Sequence, residues 1–291
     1  MALTWNLDTT DSVDYDEFVA FFTAQGKRVL EDDLDASARM MRRIANNRRF
    51  LVERLNQELS ALACLKNFQS ANLYTPQVFL LHAEASFFVR VCIWQPLQQR
   101  PGETLFFYES PHDHNFTFMT VGYLGSGYRT QIADYDASTL IGYVDEPVQM
   151  RFLEETTLPL GKVMLFRQSI DIHTQLPPEE LSISVNVLKR PGNTRPDQYF
   201  FDMDKSVSKG KADKNPNAML ARLAGAVGDD ETLGLLDAVA AGHDCRRTRL
   251  AAYEALASRR GPAAWERARD DRDRLVRHVA ATALTIAAKV A

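Results

Sequence analysis

From about residue 75 to 191 the chain is written in short runs of β-branched and aromatic residues cut by Gly and Pro: VFLLHAEASFFVRVCIW, FTFMTVGYLGSGYRTQIADYD, VQMRFLEETTLPLGKVMLF and LSISVNVLKR. Runs of this composition suit a pleated, half-buried surface, and several of them at turn-marked intervals predict a β-sandwich or barrel. The rest of the chain is read around that block.

On the N-terminal side, Phe18, Phe21 and Phe22, then Met40, Met41, Ile44, Phe50, Leu51, Leu55, Leu59 and Leu62, recur at helical spacing in a charged background, predicting a helical layer packed on the strands. After KRPGNTRP the stretch DMDKSVSKGKADKNPN is polar and broken by Gly and Pro, and reads as a linker. The last zone is rich in Ala, Leu and Arg. RLAAYEAL at 249–256 and RHVAATAL at 277–284 align in it as a weak repeat, and the second copy resembles part of a HEAT repeat. The RRTR run at 246–249 reads as a solvated helix face. The expected fold is α+β, with an N-terminal helical layer at 1–72, a β-barrel at 73–195, a linker at 196–217 and an all-α HEAT-like domain at 218–291.

Hydrophobic residues make up 45% of the 291, enough to bury such cores, and a net charge of -4 gives no electrostatic reason for nucleic acid or an anionic membrane as partner. Cys64, Cys92 and Cys245 are odd in number and far apart, which suits reduced thiols. The first residues carry no basic and apolar leader, and no uninterrupted run of about 18 apolar residues occurs. A cytoplasmic protein without membrane spans is expected.

The chemistry concentrates in SPHDHNFTFMTVGYLGSGYRT and LPLGKVMLFRQSIDIHTQ. His112 and His114 are two apart, so on a strand both imidazoles project from one face and can share a metal ion. Asp113 points the other way. The same alternation puts Phe116, Phe118, Thr120 and Gly122 on the histidine face, as an apolar wall limiting water at a bound metal.

These residues resemble the cupin superfamily, whose first motif centres on His-x-His and whose second has Pro-x-Gly, an apolar strand and a third His. Here the second motif is matched by Pro159-Leu160-Gly161, Val163 to Phe166, and His173. The resemblance covers a little over 100 residues and implies a jelly-roll barrel with His112, His114 and His173 as metal ligands. Where many cupins add a Glu, this chain has Phe118 and Met119. The resulting three-histidine set is similar to the cysteine dioxygenase group of thiol dioxygenases, which implies ferrous iron; Tyr74-Thr75 followed by an apolar strand with Cys92 and Trp94, and the helical N-terminal layer, also resemble that group. The Arg that binds the amino-acid carboxylate in that group would fall at Pro76, and its crosslinked Cys at Met119, so cysteine is a doubtful substrate. Zn, Ni and Mn are also compatible with imidazole ligands.

Further candidates for substrate binding or support of the ligands follow from strand parity. Ser182, Ser184 and Asn186 share one face of LSISVNV, which is either a barrel interior or a solvent-facing edge. Asn115 and Gln175 adjoin ligand histidines and either hydrogen-bond there or cap turns. Tyr123 and Tyr128 flank the LGSG turn as site groups or rim packing. Arg90, in the apolar FFVRVCIW, needs a partner: either a substrate carboxylate or an internal acid such as Glu109.

The expected function is a non-haem Fe(II) oxygenase acting on a small polar, amino-acid-derived molecule with O2, in a biosynthetic role. The alternative is a metal-containing sensor or binding module whose C-terminal helices dock on a protein partner or a second copy.

Overall fold

The computed structural model describes residues 3–64, 77–97, 108–190, 196–211 and 215–290. The strands in chain order are β1 (Leu3–Asn6), β2 (Val78–Ala83), β3 (Phe87–Trp94), β4 (Phe118–Leu124), β5 (Arg129–Tyr135), β6 (Glu146–Pro147), β7 (Met150–Thr157), β8 (Lys162–Phe166), β9 (Asp171–Leu176), β10 (Ser182–Lys189), β11 (Tyr199–Asp202) and β12 (Val207–Lys211). The α-helices are α1 (Tyr15–Gln25), α2 (Leu34–Asn46), α3 (Phe50–Ala63), α4 (Pro216–Val227), α5 (Asp230–Gly242), α6 (Arg246–Arg260), α7 (Ala263–Ala268) and α8 (Arg274–Val290). The chain divides into two compact units: Met1–Ala137 with Gln149–Gly192, and Ser138–Val148 with Asn193–Ala291.

In the first unit an antiparallel six-stranded sheet has the order β1-β8-β4-β10-β3-β2, and β7-β5-β9 form a second antiparallel sheet. The period-2 alternation of the large sheet decides its two faces. Phe87, Val89 and Val91 of β3, Met119 and Val121 of β4, and Val185 and Val187 of β10 are buried with Phe18, Phe22, Met41, Ile44 and Phe50 of the helices. Their alternate neighbours Cys92, Trp94, Phe118, Met164, Phe166 and Leu188 form another core with Tyr128, Ile132 and Leu158. The large sheet thus has α1 to α3 on one face and the small sheet on the other. Each fully buried Phe or Met on the helical side contributes roughly 1.5–3 kcal/mol of transfer free energy.

The helices begin where the sequence supplies caps. The Asp14 carboxylate accepts the Glu17 N–H at 2.8 Å, and the Asp33 carboxylate accepts that of Ala36 at 2.7 Å. Leu55, Leu59 and Leu62, expected in the packed stripe, are instead 42%, 60% and 50% exposed, so only the first turn of α3 seals the sheet. β1 was not expected; it pairs with β8 along Leu3 to Asn6. Tyr74, Thr75 and Pro76 lie outside the described residues.

The second unit combines the sheet β11-β12-β6 with α4 to α8 around a core that includes Leu233, Leu236, Leu250, Leu256 and Val276. Two expectations change here. The supposed linker carries β11 and β12, because Tyr199 and Phe201 alternate inward and a turn held by the Asp202 carboxylate and the Lys205 N–H reverses the chain. The RRTR run is not a solvated face. Arg249 is 1% exposed and pairs with Asp271 at 2.9 and 2.8 Å, while Arg246 and Arg247 both donate to the Asp197 carboxylate. The two copies of the weak repeat fall in α6 and α8.

Candidate metal centre

His173 sits in the middle of β9, opposite Ile132 of β5. On the other side of β9, His112 makes an isolated antiparallel bridge with His173: the His112 N–H donates to the His173 carbonyl at 3.1 Å, and the His173 N–H donates back at 2.9 Å. The Glu109 N–H donates to the Gln175 carbonyl at 2.9 Å, so the chain before His112 runs along β9 as a further, irregular edge. His112 and His114 were expected on a regular strand. Only His112 is in a bridge, and β4 begins later, at Phe118.

Their rings converge all the same. Ring centroids lie 4.9 Å apart for His112 and His114, 4.7 Å for His112 and His173, and 4.9 Å for His114 and His173. Asp113 between them turns away, as expected, and accepts a hydrogen bond from the Tyr135 hydroxyl at 2.6 Å in a fully buried setting. The Ser169 N–H donates to the His114 carbonyl at 2.9 Å. The His-x-His turn is therefore pinned from both ends of β9.

The nitrogens fit one ion. Nε2 of His114 and His173 are 2.9 Å apart, those of His173 and His112 are 3.3 Å apart, and all ligand atoms of the trio lie within 4.8 Å of one another. Imidazoles at about 2.1 Å from an ion stand roughly 3.0 Å apart at adjacent octahedral positions and roughly 3.4 Å apart in a tetrahedron. His112 Nδ1–H donates to the Ser110 carbonyl at 2.7 Å, which leaves Nε2 as the lone-pair nitrogen. The Gln175 amide nitrogen lies 3.3 and 3.1 Å from the two ring nitrogens of His173.

Burial disfavours the charged imidazolium and holds His114 and His173 well below the usual histidine range, with the neighbouring imidazoles and Arg90 adding to the effect. Burial also lowers His112, partly opposed by its hydrogen bond to Ser110. Neutral imidazoles are the metal-binding form. The wall around them is aromatic: Phe116 and Phe118 lie 4.8 and 4.9 Å from the His114 ring, and Phe166 lies 4.5 Å from that of His173.

The other candidates separate by face. Arg90, Tyr128 and Asn186 belong to the inner side. The Tyr128 ring lies tilted against that of Trp94, with centroids 4.2 Å apart, and burial pushes its hydroxyl pKa up. Asn186, paired in register with Arg90, lies 2.5 Å from Thr120 Oγ1. Ser184 accepts the Trp94 indole N–H at 3.0 Å and Ser182 accepts the Gly127 N–H at 3.0 Å, which puts the polar face of β10 inward. Asn115 is 3% exposed, and its amide nitrogen has no hydrogen-bond partner among the described residues. Tyr123 is on the wrong face: it packs in the helix-side core and its hydroxyl donates to the Asn47 carbonyl at 3.0 Å. The resemblance to Pro-x-Gly has a local cause. Gly161 has φ +80, a left-handed turn conformation suited to glycine, and its N–H donates to the Gly122 carbonyl at 2.8 Å. Tyr135 and Ser110, the groups that hold the histidine turn, were not singled out in the sequence, where no signal ties either to a ligand.

No family profile matches the chain, and neither does any curated protein. Among solved structures it is similar to hydroquinone 1,2-dioxygenase from a Sphingomonas species, with 4-hydroxybenzoate bound (10% identity, TM-score 0.29, covering 50% of this chain and 81% of that one). It is also similar to a variant of salicylate 1,2-dioxygenase from Pseudoaminobacter salicylatoxidans (8%, TM-score 0.26, covering 49% and 33%). A third likeness is to oxalate decarboxylase from Lactobacillus farciminis (13%, TM-score 0.25, covering 44% and 31%). The chain thus spans about a third of the last two. Likenesses of this extent assign neither family nor activity.

Proposed function

We propose that His112, His114 and His173 hold one Fe(II) ion and that the protein is a non-haem oxygenase acting on a small polar molecule with O2. The observation that carries the reading is the placement of three neutral imidazole nitrogens at separations suited to adjacent positions on one ion. The positions where a carboxylate ligand would be sought are Phe118 and Met119, both buried apolar side chains. A bound ferrous ion supplies open positions for substrate and dioxygen, chemistry that Zn(II) does not perform. The chain's own residues keep the imidazoles neutral, orient His112 through Ser110, and limit water with Phe116, Phe118 and Phe166.

In this reading the two packed sheets are a cupin-type jelly roll, the site is like that of the cysteine dioxygenase group with a different substrate, and the C-terminal helices form a HEAT-like tail of a cytoplasmic protein. A sensor that docks through this tail is the second reading. It is favoured by Met219, Leu220, Leu223 and Val227 on α4, which are 64%, 65%, 57% and 76% exposed.

The deciding experiment is metal analysis of anaerobically loaded protein, with oxygen uptake followed in the presence of small acids. About one iron per chain is expected, falling below stoichiometry in His112→Ala, His114→Ala and His173→Ala. Full occupancy in any variant removes that residue from the ligand set. Stoichiometric iron without oxygen uptake on any acid favours the sensor.

A further inference from the structure

The second unit carries a cleft of its own. A cavity of about 730 Å³ opens between residues 142–144, the end of β12, α4, α6 and α8. Small-molecule sites run from roughly 300 to 1,000 Å³. The wall at 142–144 is fixed from several directions. The Glu146 carboxylate accepts the Ile141 and Gly142 N–H groups at 2.7 and 2.6 Å, and Arg274 of α8 donates to the Ser138 and Thr139 carbonyls at 2.7 and 2.9 Å. The Tyr143 ring stacks on that of His278 of α8, with centroids 4.1 Å apart. A wall held in this way is in place before a ligand arrives, which lowers the ordering cost of binding.

Arg247 of α6 lines the cleft and is anchored along one edge of its guanidinium. Nε donates to the Asp197 carboxylate at 2.8 Å, and Nη2 donates to the Gly142 carbonyl at 2.7 Å and to the Tyr199 hydroxyl at 3.4 Å. Gly142 has φ +106, and a Cβ there would collide with the Tyr199 hydroxyl and stand 3.1 Å from Arg247 Nη2, so the guanidinium comes this close because the residue is glycine. Nη1 has no acceptor among the described residues, although the side chain is only 17% exposed. Its charge is only partly matched as well, because Asp197 also takes Arg246. Among the described residues lining the cleft, Lys211, Arg222 and Arg247 are cationic and Glu254 alone is acidic, in a chain whose net charge is -4. Glu254 already accepts from Arg222 Nε at 2.9 Å. A surplus of positive charge in a concave, partly apolar site attracts an oxyanion, and an oriented guanidinium binds one with charge-assisted hydrogen bonds. Val144, Leu250, Leu275 and Val279 supply apolar lining for whatever carries that oxyanion.

We propose that this cleft binds a small amphipathic anion, a carboxylate or phosphate on an apolar body, with Arg247 as its anion contact. Every residue involved belongs to the second unit, so the proposal is independent of the metal reading.

The test titrates metal-free full-length protein calorimetrically with octanoate, octyl phosphate, acetate, inorganic phosphate and octanol. One of the two long anions is expected to bind more than about tenfold tighter than octanol and than its own short counterpart, and the tighter of the pair identifies the oxyanion. Arg247→Gln is expected to weaken that anion by about ten- to one-hundredfold and to leave octanol binding unchanged. Val144→Asp serves where the glutamine variant fails to fold, since Val144 is 61% exposed: a carboxylate placed in the cleft should weaken the anion by about tenfold or more, and the neutral isostere Val144→Asn should weaken it less. His173→Ala should leave the affinity unchanged, which separates this cleft from the histidines. The proposal is overturned if neither long anion binds, if neither is preferred over octanol, if affinity is unchanged in folded Arg247→Gln or Val144→Asp, or if it is lost in His173→Ala.

Discussion

Tyr135→Phe deletes one oxygen and leaves the ring, which makes it the sharpest probe of how the histidine turn is held. The hydroxyl donates to Asp113 at 2.6 Å, with the two residues 6% and 0% exposed. A hydrogen bond of this kind to a buried carboxylate contributes roughly 1.5–3 kcal/mol net. Taking about 2 kcal/mol, the ratio of folded to unfolded metal-free protein should fall about thirtyfold. Because Asp113 separates His112 from His114, a loosened carboxylate lets both imidazoles move, and metal affinity should fall by about tenfold or more. Urea denaturation of the metal-free protein reads the first effect, and competition with a chelator of known affinity reads the second. Tyr123→Phe is the control: its hydroxyl is bonded to the Asn47 carbonyl on the opposite face of the large sheet, so it should lose stability without losing metal affinity. Stability within about 0.5 kcal/mol of wild type, with unchanged metal affinity in Tyr135→Phe, would refute the reasoning.

Two further outcomes follow from buried charge. The native chain keeps His114 and His173 unprotonated, whereas the unfolded chain takes up a proton at each near pH 6.5, so the stability they permit is complete above about pH 6.5 and is lost as pH falls below it. The slope for metal-free protein should approach 1.4 kcal/mol per pH unit for each histidine, roughly, and a flat urea-stability profile on acidification contradicts it. In the second unit, Arg249→Met leaves the Asp271 carboxylate, 4% exposed at its side chain, with the Asp273 N–H but without its ion-pair partner, and should cost about 3–5 kcal/mol. Adding Asp271→Leu should restore much of the loss in thermal melts; no recovery would locate the damage in packing instead.

The parts legible from sequence were those that depend on local periodicity. Parity along FTFMTVG put Phe116 and Phe118 beside the histidines, and parity along LSISVNV separated Asn186 from Val185 and Val187, as the structure does. The same counting places Tyr123 opposite Phe118 and Thr120; it was mislaid only because a glycine turn next to it suggested a site rim. What escaped depends on contacts distant in sequence. Nothing local marks Arg249 as buried, since its acid lies 22 residues on and the preceding RRT invites a solvated reading. Nor does composition show that Ser138–Val148, in the middle of the β-rich zone, belongs with the C-terminal unit, where the Glu146 carboxylate accepts the N–H groups of Ile141 and Gly142. The lysines and glycine of β12 hide it as a strand, and without it the short aromatic run of β11 has no partner to pair with.

The alternation along β3, β4 and β10 also shapes how this chain can change. Odd positions such as Val89, Val121 and Val185 answer to the helices, and even positions such as Arg90, Thr120 and Asn186 lie on the opposite face, toward the small sheet. Point substitutions can therefore alter the inner face while the helix-side seam is conserved. A single inserted residue within one of these strands would exchange the two sets at a stroke, sending charge into the seam and valines toward the histidines. Length variation in descendants of this sequence should accordingly collect between strands, with the three central strands fixed in register and free in only one of their two faces.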